Sequence, residues 1–123
     1  MWVNVKRKDV PEMVTLCLSR WRDLNPDHNL HVLGQKDIKE ICGKLPGEKS
    51  MTVQACSDVL RHWVLSKEGG VWTDATVLPI APLSEWSGQH TDATGFMGLE
   101  RLDRPELPIA TWLLAGDPGS PMT

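Results

Sequence analysis

The strongest periodic signal in the chain is an apolar stripe at Val53, Cys56, Leu60, Trp63 and Val64, which begins after Thr52 and stops at Gly69-Gly70. It predicts a helix. Two weaker helical patterns precede it. From Pro11, the positions Val14, Cys17, Leu18 and Trp21 recur at helical spacing; Pro11 suits the first turn and Asn25-Pro26 the stop, so a helix is predicted over about 11–24. Lys36 to Cys42 places Ile38, Ile41 and Cys42 on one face and closes at Gly43.

Strand-like segments alternate with these helices. Trp2, Val3 and Val5 predict a short first strand, and Leu30 to Leu33, between a turn and Gly34, a second. Val71 to Val77 has the composition of a buried strand and is expected to end near Asp74, because Pro79 and Pro82 exclude a long central continuation. Ser84 to Ser87 reads as a helical turn and Gly95 to Leu99 as a strand. Pro108 to Ala115, with Ile109, Trp112 and Leu113, reads as a final helix. Gly43–Ser50, Gly88–Thr94 and Gly116–Thr123 are connectors. This order predicts an α/β domain with a parallel or mixed sheet.

Composition narrows the function classes. A chain of 123 residues is one domain or part of one. With a net charge of -3 and no run of five Lys or Arg, it lacks the basic stripe that nucleic-acid binding requires. Its apolar stretches are broken too soon for a membrane span, and Met1 to Asp9 lacks the apolar region of a signal peptide. Cys17, Cys42 and Cys56 all fall in helical patterns and are expected to be buried thiols, which points to a reducing, cytoplasmic setting, with peripheral membrane attachment left open.

The chemistry concentrates in Ala55 to Thr76. Asp58 and Arg61 are three apart on the main helix, on a face expected to be distinct from the Cys56/Leu60/Trp63 stripe. Asp74 falls at the C-terminal end of the next strand, where open α/β sheets bind ligands. All three can face one crevice. Spacing alone favours an exposed ion pair and an unrelated strand-end carboxylate. Trp72 is suited either to stacking on a base or sugar or to the core. Trp21, Trp63 and Trp112 lie on helical stripes and are expected to be core. His28, His31 and His62 have no zinc spacing and read as surface residues. Asp92 and Glu100 flank the strand at 95–99 and read as solvated loop residues or as contacts for acceptor hydroxyls.

The order of the whole block separates these readings. Ser57-Asp58-x-x-Arg61, a mostly apolar helix, Gly69-Gly70-Val71-Trp72 and the triplet Asp74-Ala75-Thr76 resemble the glycosyltransferases with a DXD-containing sugar-binding region. The closer resemblance is to capsular polysaccharide synthesis proteins and the family 32 type of transferase. Pro11 to Pro26, Gly95 to Gly98 and Ile109 to Ala115 extend it over most of the chain.

The resemblance implies a GT-A fold, Rossmann-like, over residues 1–123, with its donor-binding core at 52–83 and an incomplete C-terminal part. It implies transfer of sugar from a nucleotide-diphosphate sugar to a glycan, polysaccharide or glycolipid acceptor with retention of configuration. The alternative is a non-catalytic nucleotide-sugar-binding module of the same descent. Ser57, Asp58, Arg61, Trp72 and Asp74 become donor-binding candidates: Arg61 toward phosphate or sugar oxygens, Asp58 toward sugar hydroxyls, Asp74 at the catalytic junction. Mn2+ or Mg2+ is the implied cofactor, with Asp74 and Thr76 as ligands. The family triplet has two acidic residues, however, and a Thr hydroxyl is a weaker ligand for a hard cation than a carboxylate.

Overall fold

The computed structural model describes residues 1–4, 10–44, 52–88 and 94–120. The predicted Val5, most of the 43–50 connector, Asp92 and the last three residues lie outside them. The elements run β1 Trp2–Asn4, α1 Glu12–Leu24, β2 His31–Leu33, α2 Gln35–Cys42, α3 Val53–Glu68, β3 Gly70–Asp74, α4 Leu83–Trp86, β4 Phe96–Glu100 and β5 Ile109–Gly116. The starts of α1, α2 and α3 each have a local cause. Pro11 precedes the first turn of α1, the Asp37 carboxylate accepts from the Gly34 N–H at the head of α2, and Thr52 Oγ1 accepts from Ala55 N–H at 3.2 Å to cap α3. Gly43 ends α2 with φ -61°, so no left-handed residue is used there.

The strands form one mixed sheet in the order β2-β1-β3-β5-β4. β1 pairs parallel with both β2 and β3, whereas β5 runs antiparallel between β3 and β4. Residue alternation along β3 divides the core between its two faces. Trp72, with Leu114 of β5, packs with Leu60, Val64 and Leu65 of α3 and Ile38 of α2. Val71, with Leu113 and Ala115, packs with Trp21 of α1 and Leu83 of α4. Helices thus cover both faces of the sheet.

Two expectations are corrected. The segment from Ile109 to Ala115 is strand β5, not a helix; its apolar positions fit either period over so short a run, and pairing with β3 on one side and β4 on the other decides for the strand. The second correction concerns the cysteines. Cys42 and Cys56 form a disulfide with Cα atoms 6.3 Å apart, because the end of α2 meets the start of α3. Only Cys17 is a free thiol, fully buried, and that burial raises its pKa. Cysteine usage therefore no longer argues for a reducing compartment. Among the described residues, no helix is long and apolar enough to cross a membrane.

Asn25, read from sequence only as part of a helix stop, is a buried clamp. Its Nδ2 donates to Trp21 O at 3.0 Å, and its Oδ1 accepts from Leu83 N–H at 2.7 Å, which fixes the end of α1 to α4. Asn25→Ala leaves the Leu83 N–H without its acceptor and is expected to cost about 2 kcal/mol. An unchanged midpoint in urea unfolding would contradict this role.

Candidate functional site

Arg61 does not sit on a separate exposed face of α3. It belongs to the buried face, with only 3% of its surface exposed, alongside Ser57, Leu60, Val64 and Leu65. A buried guanidinium requires several partners. Nη2 donates to Asp58 Oδ1 at 3.0 Å, one turn earlier on the same helix, and Nη1 donates to the backbone carbonyl of Thr111 on β5. Nη1 also lies 3.9 Å from Asp74 Oδ1, and the guanidinium carbon sits 5.6 Å from the centre of the Trp72 ring. Arg61 Nε is buried with no acceptor among the described residues.

The turn between α3 and β3 brings Asp74 to this point. Gly69 N–H closes the helix on Leu65 O, and Gly69 and Gly70 then take φ values of +67° and +98°, which reverse the chain directly into β3. Trp72 and Asp74 are two apart on that strand and share a face, so Trp72 Nε1 reaches Asp74 Oδ1 at 3.4 Å. Val77 N–H donates to Asp74 O at 3.1 Å, closing a turn over Ala75 and the exposed Thr76.

The arrangement is asymmetric in exposure. The Asp58 and Asp74 side chains are 54% and 42% exposed, against 4% for Arg61. The two carboxylates therefore face solvent, while the cation that joins them lies beneath. Trp72 is fully buried and Ser57 nearly so. In this structure the Trp72 ring supports Arg61 and Asp74 and offers no free stacking face. His62 is half-buried, and burial lowers its pKa, helped by the charge of Arg61 and opposed by Asp58.

Topology gives the cluster its setting. The chain leaves β1 for β2 on one side and then crosses to β3 on the other, and Asn4 stands in register with Asp74. The C-terminal ends of β1 and β3 thus border the switch point of the sheet, where open α/β sheets bind ligands. A shallow depression lined by Gly70, Val71, Ser87, Ala115, Gly116 and Asp117 lies at the opposite end of β3 and is separate from the cluster.

The donor set does not fit a divalent cation held by the protein alone. The guanidinium of Arg61 already takes the place of a cation between Asp58 and Asp74, and the triplet adds only a neutral hydroxyl at Thr76. Among the described residues, no group of three His, Cys, Asp or Glu is placed to hold a metal ion.

Sequence reasoning missed Thr111 and Trp112. Thr111 holds Arg61 through its carbonyl, and Trp112, expected in the core, is 40% exposed. The helical reading of 108–115 concealed both, since it assigned Trp112 to a buried stripe and left Thr111 no sheet to belong to. Glu100 ends β4 and is exposed.

The mixed sheet with helices on both faces defines an α/β protein, and the two carboxylates stand at the strand end where open α/β sheets bind ligands. Residues 1–123 match the capsular polysaccharide synthesis protein family, and the chain belongs to that family. It is also similar to the initiation-specific alpha-1,6-mannosyltransferase of Candida albicans, with 26% identity over 128 residues that cover 97% of this chain. The matched region is 31% of the length of that relative.

Proposed function

We propose that this chain forms the donor-binding part of a GT-A-type glycosyltransferase that transfers a sugar from a nucleotide-diphosphate sugar to a glycan, polysaccharide or lipid-linked acceptor, with retention of configuration. The observation that carries this reading is the Asp58–Arg61–Asp74 cluster, with two exposed carboxylates on one buried guanidinium beside the β1/β3 switch point. Membership in the capsular polysaccharide family and the similarity to a mannosyltransferase support it.

The sign of the charge assigns the roles. One guanidinium against two carboxylates leaves the cluster anionic, which suits hydroxyl donors of a sugar or ribose and repels a bare diphosphate. Asp58 and Asp74 accept those hydroxyls, and Arg61, buried beneath them, is a positioning residue. In the reaction, the anomeric C–O bond to the diphosphate breaks and a bond to the acceptor oxygen forms, while the acceptor proton is released. Were a divalent cation, Mn2+ or Mg2+, to accompany the diphosphate, Asp74 and Thr76 are the residues that would face it, and it would offset the charge of the leaving group.

The test is calorimetric titration of the chain with GDP-mannose and UDP-glucose, with and without Mn2+, alongside an assay for released nucleoside diphosphate. Asp74→Ala is expected to weaken donor binding about tenfold or more, the effect of losing a hydrogen bond to a charged group. Unchanged affinity in that variant, or no binding of either donor by the unaltered chain, would refute the proposal. The chain spans 31% of the length of that mannosyltransferase, and the second reading is a donor-binding module of the same descent without transfer activity of its own. That reading predicts binding without nucleoside diphosphate release.

A further inference from the structure

Between the pairs Gly98↔Leu114 and Leu99↔Ala110, β4 advances by one residue while β5 advances by four. Thr111, Trp112 and Leu113 therefore have no partner position on β4. Bulges of this kind re-aim side chains and are common beside active sites. Both neighbours of Trp112 are anchored: the Thr111 carbonyl accepts from Arg61, and Leu113 stands in register with Thr73 of β3. The β3–β5 register continued by one residue sets Trp112 opposite Asp74. Alternation then assigns both residues to the sheet face that α3 covers, the face of Trp72 and Leu114.

Trp112 nonetheless stays 40% exposed, while Ala110 at 1% and Leu113 at 5% are buried. A large aromatic left open at an anchored position opposite the exposed Asp74 carboxylate has the form of a sugar-binding surface, where a flat apolar ring meets the C–H face of a pyranose and a carboxylate takes its hydroxyls. Its flank of β3 decides which sugar. The switch-point crevice for the nucleotide lies on the β1 side of Asp74, whereas β5 and Trp112 lie on the other side. From this juxtaposition, and resting on the transferase reading above, we infer that Trp112 is a stacking platform for a pyranose ring of the acceptor glycan.

The experiment uses the full chain with 15N-labelled tryptophan indoles, in which Trp112→Phe assigns the Trp112 signal. It is titrated separately with α-1,6-mannobiose, maltose, GDP-mannose, UDP-glucose and phosphatidylglycerol vesicles. A disaccharide is expected to shift the Trp112 indole signal, and Trp112→Ala to weaken that disaccharide about fivefold, within the range of aromatic contacts, while GDP-mannose affinity stays unchanged. Trp112→Phe is expected to retain most of the disaccharide affinity. Normal GDP-mannose binding with no Trp112 response to either disaccharide would overturn this inference and leave the donor reading intact. Equal loss of GDP-mannose in Trp112→Ala would overturn it in favour of a donor contact. A Trp112 response to phosphatidylglycerol vesicles but to neither sugar would overturn it in favour of a lipid contact. Absence of GDP-mannose and UDP-glucose binding would remove both readings together.

Discussion

Gly69→Ala is expected to lower stability by about 4 kcal/mol, which corresponds to a fall in Tm of roughly 15 °C for a domain of this size. Two costs combine. The backbone of Gly69, at φ 67° and ψ -167°, lies in a region that is essentially restricted to glycine. An added Cβ would also stand 2.6 Å from Pro118 Cδ and 3.0 Å from the Gly116 carbonyl oxygen, and neither belongs to a flexible side-chain end that could move aside. Gly119 separates the two effects, since it has φ +75° but open space where its Cβ would be. Gly119→Ala should therefore cost only about 1 kcal/mol. Thermal and urea unfolding of the two variants checks the difference, and equal losses would show that the contact with Pro118 does not matter. Donor affinity should fall with Gly69→Ala as well, because this turn delivers Asp74 to Arg61.

Removing both carboxylates, Asp58→Ala together with Asp74→Ala, is expected to cost about 3 kcal/mol, more than the two single variants combined at about 1 kcal/mol each. Either carboxylate alone still faces the guanidinium. Without both, Arg61 keeps a charge at 4% side-chain exposure with, among the described residues, the Thr111 carbonyl and the Trp72 ring as its remaining partners. The estimate sits at the low end of the range for broken buried pairs, because the two Asp side chains are themselves about half exposed and partly screened. Adding Arg61→Met should restore part of the loss, since an apolar side chain removes the stranded charge. Urea unfolding of the singles, the double and the triple variant forms the cycle. Strict additivity of the two Asp variants, or no recovery with Arg61→Met, would show that the guanidinium does not depend on them.

Much of the site was legible in the residues because its parts are local. Thr52, the apolar stripe and Gly69-Gly70 define α3 and its exit, and a strand that must stop before Pro79 leaves Asp74 at its end. Helical spacing already brings Asp58 and Arg61 together, and strand alternation already brings Trp72 and Asp74 to one face. What failed was the reading of a short apolar run. Over eight residues, Ile109 to Gly116 satisfies helical spacing as well as strand composition, and only the open edges of β3 and β4 select the strand.

The amino-acid sequence by itself determined the Asp58–Arg61–Asp74 constellation and the family, since caps, turn glycines and i,i+3 neighbours act within a few residues of one another. Tertiary structure alone decided the burial of Arg61, the joining of Cys42 to Cys56, the strand β5 and the exposure of Trp112. Each of these depends on segments far apart in the chain: Arg61 is held by a carbonyl 50 residues away. Local propensity carries no information about which distant backbone will supply such a partner.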